Sequence, residues 1–399
     1  MATAQASAAT STDLREWRDS KRWAWLVGAI VPLVPFVSWG LVSATGLDAF
    51  WYFGPVFIFV LIPLVDLLVG TDPNNPPDEV LERLEEDRYY RWITYAFIPL
   101  QYVAVFWTAW MISQPQYGVV DKVGMAISLG IVVGIGINTA HELGHKKEKH
   151  ERWLSRVALA PTAYGHFYIE HNRGHHVRVA TPEDPASARM GETVWGFLPR
   201  TVLGSWKSAW RLEKKRFSRR DQSPWTIRND ILNAYAMTLA LWATLVALFG
   251  WQVMPYLLIA AVIGVWELES VNYLEHYGMK RQKLESGRYE RVNPSHSWNS
   301  NNIGTNILLY HLQRHSDHHA NPTRRYQALR DFPEAPVLPT GYAGMIVLTW
   351  VPAIWRRVMD KRVVAHYEGD VSRANLQPSK AARYRARYGA GSTTHAHAA

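Results

Sequence analysis

VGMAISLGIVVGIGINTAHELGHK, residues Val123 to Lys146, joins an apolar run directly to a pair of histidines. Val123 to Ala140 carries no charge and approaches the roughly 20 residues that a helix needs to cross a bilayer. His141 and His145 follow, four positions apart. On a helix they share one face, about 6 Å apart along the axis, which suits capture of a single metal ion. A membrane span ending in metal-ligand side chains is therefore the unit to look for elsewhere in the chain.

Five more stretches are long, apolar and nearly free of charge: Ala24 to Thr45, Phe50 to Gly70, Trp92 to Ser113, Ile231 to Gly250 and Val253 to Leu274. The expected fold class is an all-α integral membrane protein, a bundle of six transmembrane helices with a helical cytoplasmic cap carrying histidine boxes. The expected organisation is a disordered cytoplasmic start (1–22), four spans ending in the first box (23–145) and a cytoplasmic insertion with the second (146–230). Two spans ending in His276 (231–276), a cap with the third box (277–376) and a flexible tail (377–399) complete it. No short apolar core with a small-residue cleavage site precedes the first span, so no cleaved signal peptide is expected. DPNNPPDEV, from Asp72, should stop one helix and start the next, and Glu79 to Asp87 has the spacing of a solvated helix face. Leu154 to Tyr168 and Tyr342 to Trp355 are apolar but too short to cross, so each is expected to be buried under the bundle or to dip into the interface; Trp350 and Trp355 suit the headgroup layer.

Basic residues set the orientation. The turns Thr45 to Ala49 and Gly250 to Gln252 contain no Lys or Arg, and the remaining outward loop contains only Lys122. Arg15, Arg18, Lys21 and Arg22 precede the first span, so both termini and every histidine box are expected in the cytoplasm. The net charge of +9 fits this topology and contact with anionic headgroups of the membrane lipids. It also offers a docking surface for an acidic protein, with Lys214, Lys215, Arg216, Arg219 and Arg220 as the densest run; a nucleic-acid partner is not expected. The chain has no cysteine, which excludes disulfides, thiolate zinc sites and cysteine-bound iron–sulfur clusters within it. Any electrons must come from another protein.

Three further boxes accompany HELGHK: EHNRGHH with His171, His175 and His176; NYLEHYGM with His276; and LQRHSDHH with His315, His318 and His319. Taken alone, HELGH is the H-E-x-x-H pattern of zinc proteases, with Glu142 as general base. A catalytic zinc needs about three protein ligands, whereas nine imidazoles suit two metals with open positions. Carboxylates in or near the boxes, Glu142, Glu170, Asp184, Glu275 and Asp317, are candidates to orient the imidazoles and offset the metal charge. His150, His166, His296, His311 and His366 lie outside the spacing and are read as ordinary histidines, and His395 and His397 as inert tail residues. A metal transporter or store would instead place its ligands along the spans.

HELGHK, EHNRGHH and LQRHSDHHA resemble the histidine boxes of the membrane di-iron hydroxylase and desaturase superfamily. NYLEHYGM resembles the additional signature of bacterial alkane 1-monooxygenases. The likeness runs from about Leu26 through Tyr342 and includes NNPPDEV, RYYRWITY and RDFPEAPVLPTGY. It implies that all nine box histidines bind two iron ions, and that dioxygen oxidises the terminal methyl of an n-alkane drawn from the lipid phase. It further implies electrons from rubredoxin, itself reduced by a rubredoxin reductase with NADH, and no flavin or haem in this chain. The same boxes occur in enzymes acting on fatty acids or aromatic methyl groups, which stand as the alternative.

An unactivated methyl group offers no handle for acid–base chemistry, so selectivity must come from positioning. A narrow apolar channel closed at the metal end would present the chain end first. Trp39, Phe53, Phe57, Ile58 and Leu61 are the candidate wall residues.

Overall fold

The computed structural model describes residues 17–389. The polar start with Arg15 and the tail with His395 and His397 lie outside the described residues. Among the described residues six helices are long and apolar enough to cross a membrane: α1 (Leu26–Thr45), α2 (Asp48–Val69), α3 (Arg88–Ser113), α4 (Val119–Gly144), α7 (Asp230–Phe249) and α8 (Trp251–His276). Between α4 and α7 run α5 (Lys149–Leu159) and α6 (Val194–Ser218). After α8 come α9 (His315–Ala320), α10 (Tyr342–Thr349), α11 (Pro352–His366) and α12 (Ala381–Tyr388).

Local chemistry sets the ends of these helices. Asp87 caps α3 by accepting the Tyr89 N–H at 2.9 Å, which starts that helix one turn before the apolar run at Trp92. Asn229 caps α7 in the same way, through the Ile231 N–H at 3.0 Å. α4 does not stop where its apolar run stops. It continues through Gly144, so His141 occupies its last turn and His145 its C-terminal cap, rather than both lying beyond the span.

α4 is the axis of the bundle, with 89% of its most apolar stretch buried. It packs on α8 through small residues: a Cβ on Gly264 would stand 3.0 Å from the Gly134 amide nitrogen. Close approach of this kind is how helices associate where lipid removes the hydrophobic drive. The other spans expose apolar side chains outward, among them Leu68, Leu239 and Trp251. Surrounding lipid accounts for such surfaces, which water would penalise.

The segment Tyr342 to Trp355 is not one interfacial helix. Val351 leaves helical geometry before Pro352, α10 ends and α11 begins, and Trp355 turns fully inward against Tyr273 and Tyr277. Trp355 therefore belongs to the core of the cap and not to the headgroup layer; Trp350 packs against Phe59 and Trp266.

Candidate metal centre

The four boxes meet at one end of the bundle. His141 and His145 arrive on α4, and His171, His175 and His176 on a π-helical turn, Glu170–His175, that runs into the next helical turn. His276 is the last residue of α8, and α9 carries His315, His318 and His319. The wider π turn brings three imidazoles of one short segment toward a common centre, a role such turns often have at functional sites.

The nine imidazoles divide into two sets. His141, His145, His171, His176 and His318 form one, and His175, His276, His315 and His319 the other; within each set the ligand atoms lie within 4.8 Å of one another. The sets abut, with the rings of His176 and His319 4.5 Å apart. In the five-histidine set, Nε2 of His318 is 2.9 Å from that of His141 and 3.0 Å from that of His176, which is 3.1 Å from that of His171. In the four-histidine set, His315 Nε2 lies 3.2 Å from His276 Nε2 and 2.8 Å from His319 Nε2.

These spacings suit a shared cation better than hydrogen bonds. Each neutral imidazole has one N–H, and several Nε2 atoms converge on the same few ångströms. Nitrogens about 2.1 Å from an ion and at right angles to one another stand about 3.0 Å apart, as these do. Burial also lowers the pKa of His145, His171, His176, His315, His318 and His319, keeping their lone pairs free at neutral pH. Nε2 of His145 and of His175 has no hydrogen-bond partner among the described residues.

Of the five candidate carboxylates, two face box histidines. Asp184 accepts the His175 Nδ1–H at 2.9 Å, together with the Ser187 hydroxyl at 2.7 Å. Glu275 Oε1 is 3.2 Å from His315 Nδ1, although not aligned for a hydrogen bond. The other three are occupied by cations. Glu142 pairs with Lys146 at 2.9 Å, Glu170 with Arg178 at 2.6 Å, and Asp317 takes both oxygens to Arg324 at 2.7 and 2.8 Å. Burial raises the Glu170 carboxyl to about 7 despite that arginine.

The histidines outside the boxes have other partners. His166 Nδ1 lies 3.0 Å from the Tyr235 hydroxyl, His311 Nδ1 is 3.0 Å from the Tyr326 carbonyl, and neither belongs to a set.

An apolar cleft opens beside the centre, lined by Ile58, Ile135, Asn138, Leu268, Val271, Leu309, Leu312, Ala343 and Ile346. A smaller cavity shares Asn138 and Leu312 with it and touches His141 and His318. Among the five candidate wall residues, Ile58 lines the cleft. Phe53 and Phe57 pack on each other at 6.2 Å, Trp39 rests on Trp107 at 6.1 Å, and Trp39 and Leu61 are exposed on the outside of the bundle. Both sides of a membrane helix are apolar, so composition did not separate the inward face from the lipid face.

Glu267 also lines the cleft and went unnoticed in the apolar run of α8. It is 6% exposed, and its Oε2 has no hydrogen-bond partner among the described residues. Acidic residues within a span, here WELES at 266–270, were the available signal. Asn138 was missed as well; its amide donates to the Leu309 carbonyl at 2.8 Å and braces the wall.

In the basic run, Lys214, Lys215, Arg219 and Arg220 are exposed. Arg216 is not a free surface cation: it binds both oxygens of the fully buried Glu213 and the Arg228 carbonyl.

Residues 122–349 match the family model described as fatty acid desaturase. Alkane 1-monooxygenase 1 of Alcanivorax borkumensis is 46% identical over 382 residues, covering 95% of this chain and 94% of the relative. Alkane 1-monooxygenase of Pseudomonas putida is 46% identical over 369 residues, 92% of each chain. The xylene/toluene monooxygenase hydroxylase component of Pseudomonas putida is 29% identical over 244 residues, 60% of this chain and 63% of that one.

Proposed function

The chain belongs to the alkane 1-monooxygenase family, within the desaturase-like membrane di-iron enzymes, and from that premise we propose how its residues divide the work. It is an oxidoreductase that hydroxylates the terminal carbon of n-alkanes. The carrying observation is the division of nine box histidines into two abutting sets beside one apolar cleft.

His141, His145, His171, His176 and His318 would hold one iron, and His175, His276, His315 and His319 the other. Two iron ions supply the activation of dioxygen: one oxygen atom enters the C–H bond, and the other leaves as water with two electrons and two protons. The protein's own part is positional. Asp184 orients His175, leaving its Nε2 to face inward, and Glu275 places a carboxylate beside His315. The cleft would admit the alkane from the lipid, and the smaller cavity that adjoins it at Asn138 and Leu312 would direct the chain end toward His141 and His318.

With no cysteine in the chain, the electrons come from a separate carrier. Rubredoxin, reduced by its reductase with NADH, is that partner, and the basic face of the cap receives it from the cytoplasm. The distribution of Lys and Arg supports an orientation in the inner membrane with both termini and the metal centre cytoplasmic.

The test is gas chromatography of products from membranes supplied with rubredoxin, its reductase, NADH and a mixture of alkanes, xylene and a fatty acid. Primary alcohols from the alkanes are expected. Turnover of xylene or the fatty acid alone would overturn the substrate reading, and a metal content without iron would overturn the cofactor reading.

A further inference from the structure

α12 folds back beside α11, and a groove runs between them with Arg356, Arg357, Lys361, Lys380, Arg383 and Arg387 along its lining. It encloses about 490 Å³, too large a space for one inorganic ion to fill. Asp360 is the one acid in that lining, and it offsets one of the six positive charges. Its two oxygens are taken by tyrosine hydroxyls, Oδ1 by Tyr277 and Oδ2 by Tyr384, each at 2.7 Å.

Those tyrosines give the groove a route inward. Tyr384 lines the groove, Asp360 links it to Tyr277, and Tyr277 is bonded in the chain to His276 of the four-histidine set. The same tyrosine packs against Trp355 at 5.3 Å and Tyr273 at 5.4 Å, and accepts the Gly191 N–H at 2.8 Å. Between the groove and His276 lie the buried side chains of Tyr384, Asp360 and Tyr277.

We propose that this groove, and not the Lys214 to Arg220 run, is where the acidic electron-carrier protein docks; the inference rests on the rubredoxin reading above. Charge complementarity argues for it, since six cations against the single acid Asp360 surround the groove, while the α6 run presents four once Arg216 is committed to Glu213. A lipid surface is the poorer match. Besides its charged side chains the groove offers only Ala353, Tyr384 and Tyr388, whereas surfaces that sink into headgroups pair cations with Leu, Phe or Trp wedges.

Binding is the direct readout. Rubredoxin is titrated into the full-length, iron-loaded protein in nanodiscs, at low and at high salt. The double variant Arg383→Glu/Arg387→Glu, at exposed positions, should weaken the complex roughly tenfold or more at low salt, with a smaller difference at high salt. Arg383→Lys/Arg387→Lys should restore affinity, and Lys214→Glu/Lys215→Glu should change it less than about threefold. Retained iron and an unchanged elution volume report that the variants are folded. No binding by the wild type would overturn the rubredoxin reading itself. Normal binding by the wild type and unchanged binding by the groove variant would overturn the groove alone, as would a larger loss from the Lys214 pair. If the groove variant binds rubredoxin normally but loses flotation with phosphatidylglycerol vesicles, the groove is a lipid site and the proposal fails.

Discussion

His175 and Asp184 are locked together in the interior of the cap, with Nδ1 2.9 Å from Oδ2 and neither side chain more than 2% exposed. Burial alone would raise the carboxyl, yet the His175 and Ser187 contacts outweigh it and hold Asp184 at about 2. The aspartate is therefore ionised at neutral pH and accepts from Nδ1, which turns the Nε2 edge of the ring toward the other members of its set.

Asp184→Asn should disturb that tautomer while leaving the volume unchanged. An expected loss of roughly ten- to hundredfold in iron affinity follows from the usual cost of removing such a partner. Iron content after dialysis against a graded chelator measures it, and wild-type retention would show that Asp184 only braces the Ser187 turn.

His276→Ala and His315→Ala each remove one of four imidazoles from the same set. Each variant should lower bound iron and abolish octane hydroxylation, because the four-histidine set then lacks one of its ligands. Metal analysis alongside product assay checks both; undiminished turnover by either would remove that residue from the ligand set.

Ile58 forms a wall of the cleft and is only 3% exposed. Replacing it with Ala should favour longer alkanes, and with Trp shorter ones, by moving the point where the chain is obstructed. A panel of alkanes in competition gives the profile, and identical profiles for both variants would place the substrate elsewhere.

At Gly134 a methyl group would overlap Glu267 Oε2 and stand 3.1 Å from the Gly264 Cα. Gly134→Ala should therefore cost about 1–3 kcal/mol of stability, the usual range for overpacking, and should drive the Glu267 carboxylate further into the cleft. Thermal unfolding in detergent gives the first quantity. Rejection of the longest alkanes that the wild type accepts reports the second.

The sequence revealed the histidine boxes more readily than their surroundings. Boxes of histidines at span ends are visible as a pattern, and the two sets contain the nine box histidines and none from outside the boxes. Their five-to-four division was not visible, because His175 and His176 are neighbours in the chain yet serve different sets. Carboxylate roles were half legible: proximity in sequence nominated Glu142 and Asp317, while Lys146 and Arg324 compete for them in space. The spans were placed to within a turn or so, since charge-free length is a one-dimensional property. Which apolar face turns inward is not, and of the proposed channel residues Ile58 alone was found in the wall.

Each set is also assembled from distant parts of the chain: His141 and His318, 2.9 Å apart, are 177 positions apart in sequence. During synthesis, four spans are made before the second box, and all six before α9 leaves the ribosome. A metal ion held by either full set would then be bound only after insertion is complete and the cap has closed, so on the proposed di-iron reading iron starvation should accumulate inserted but open chains.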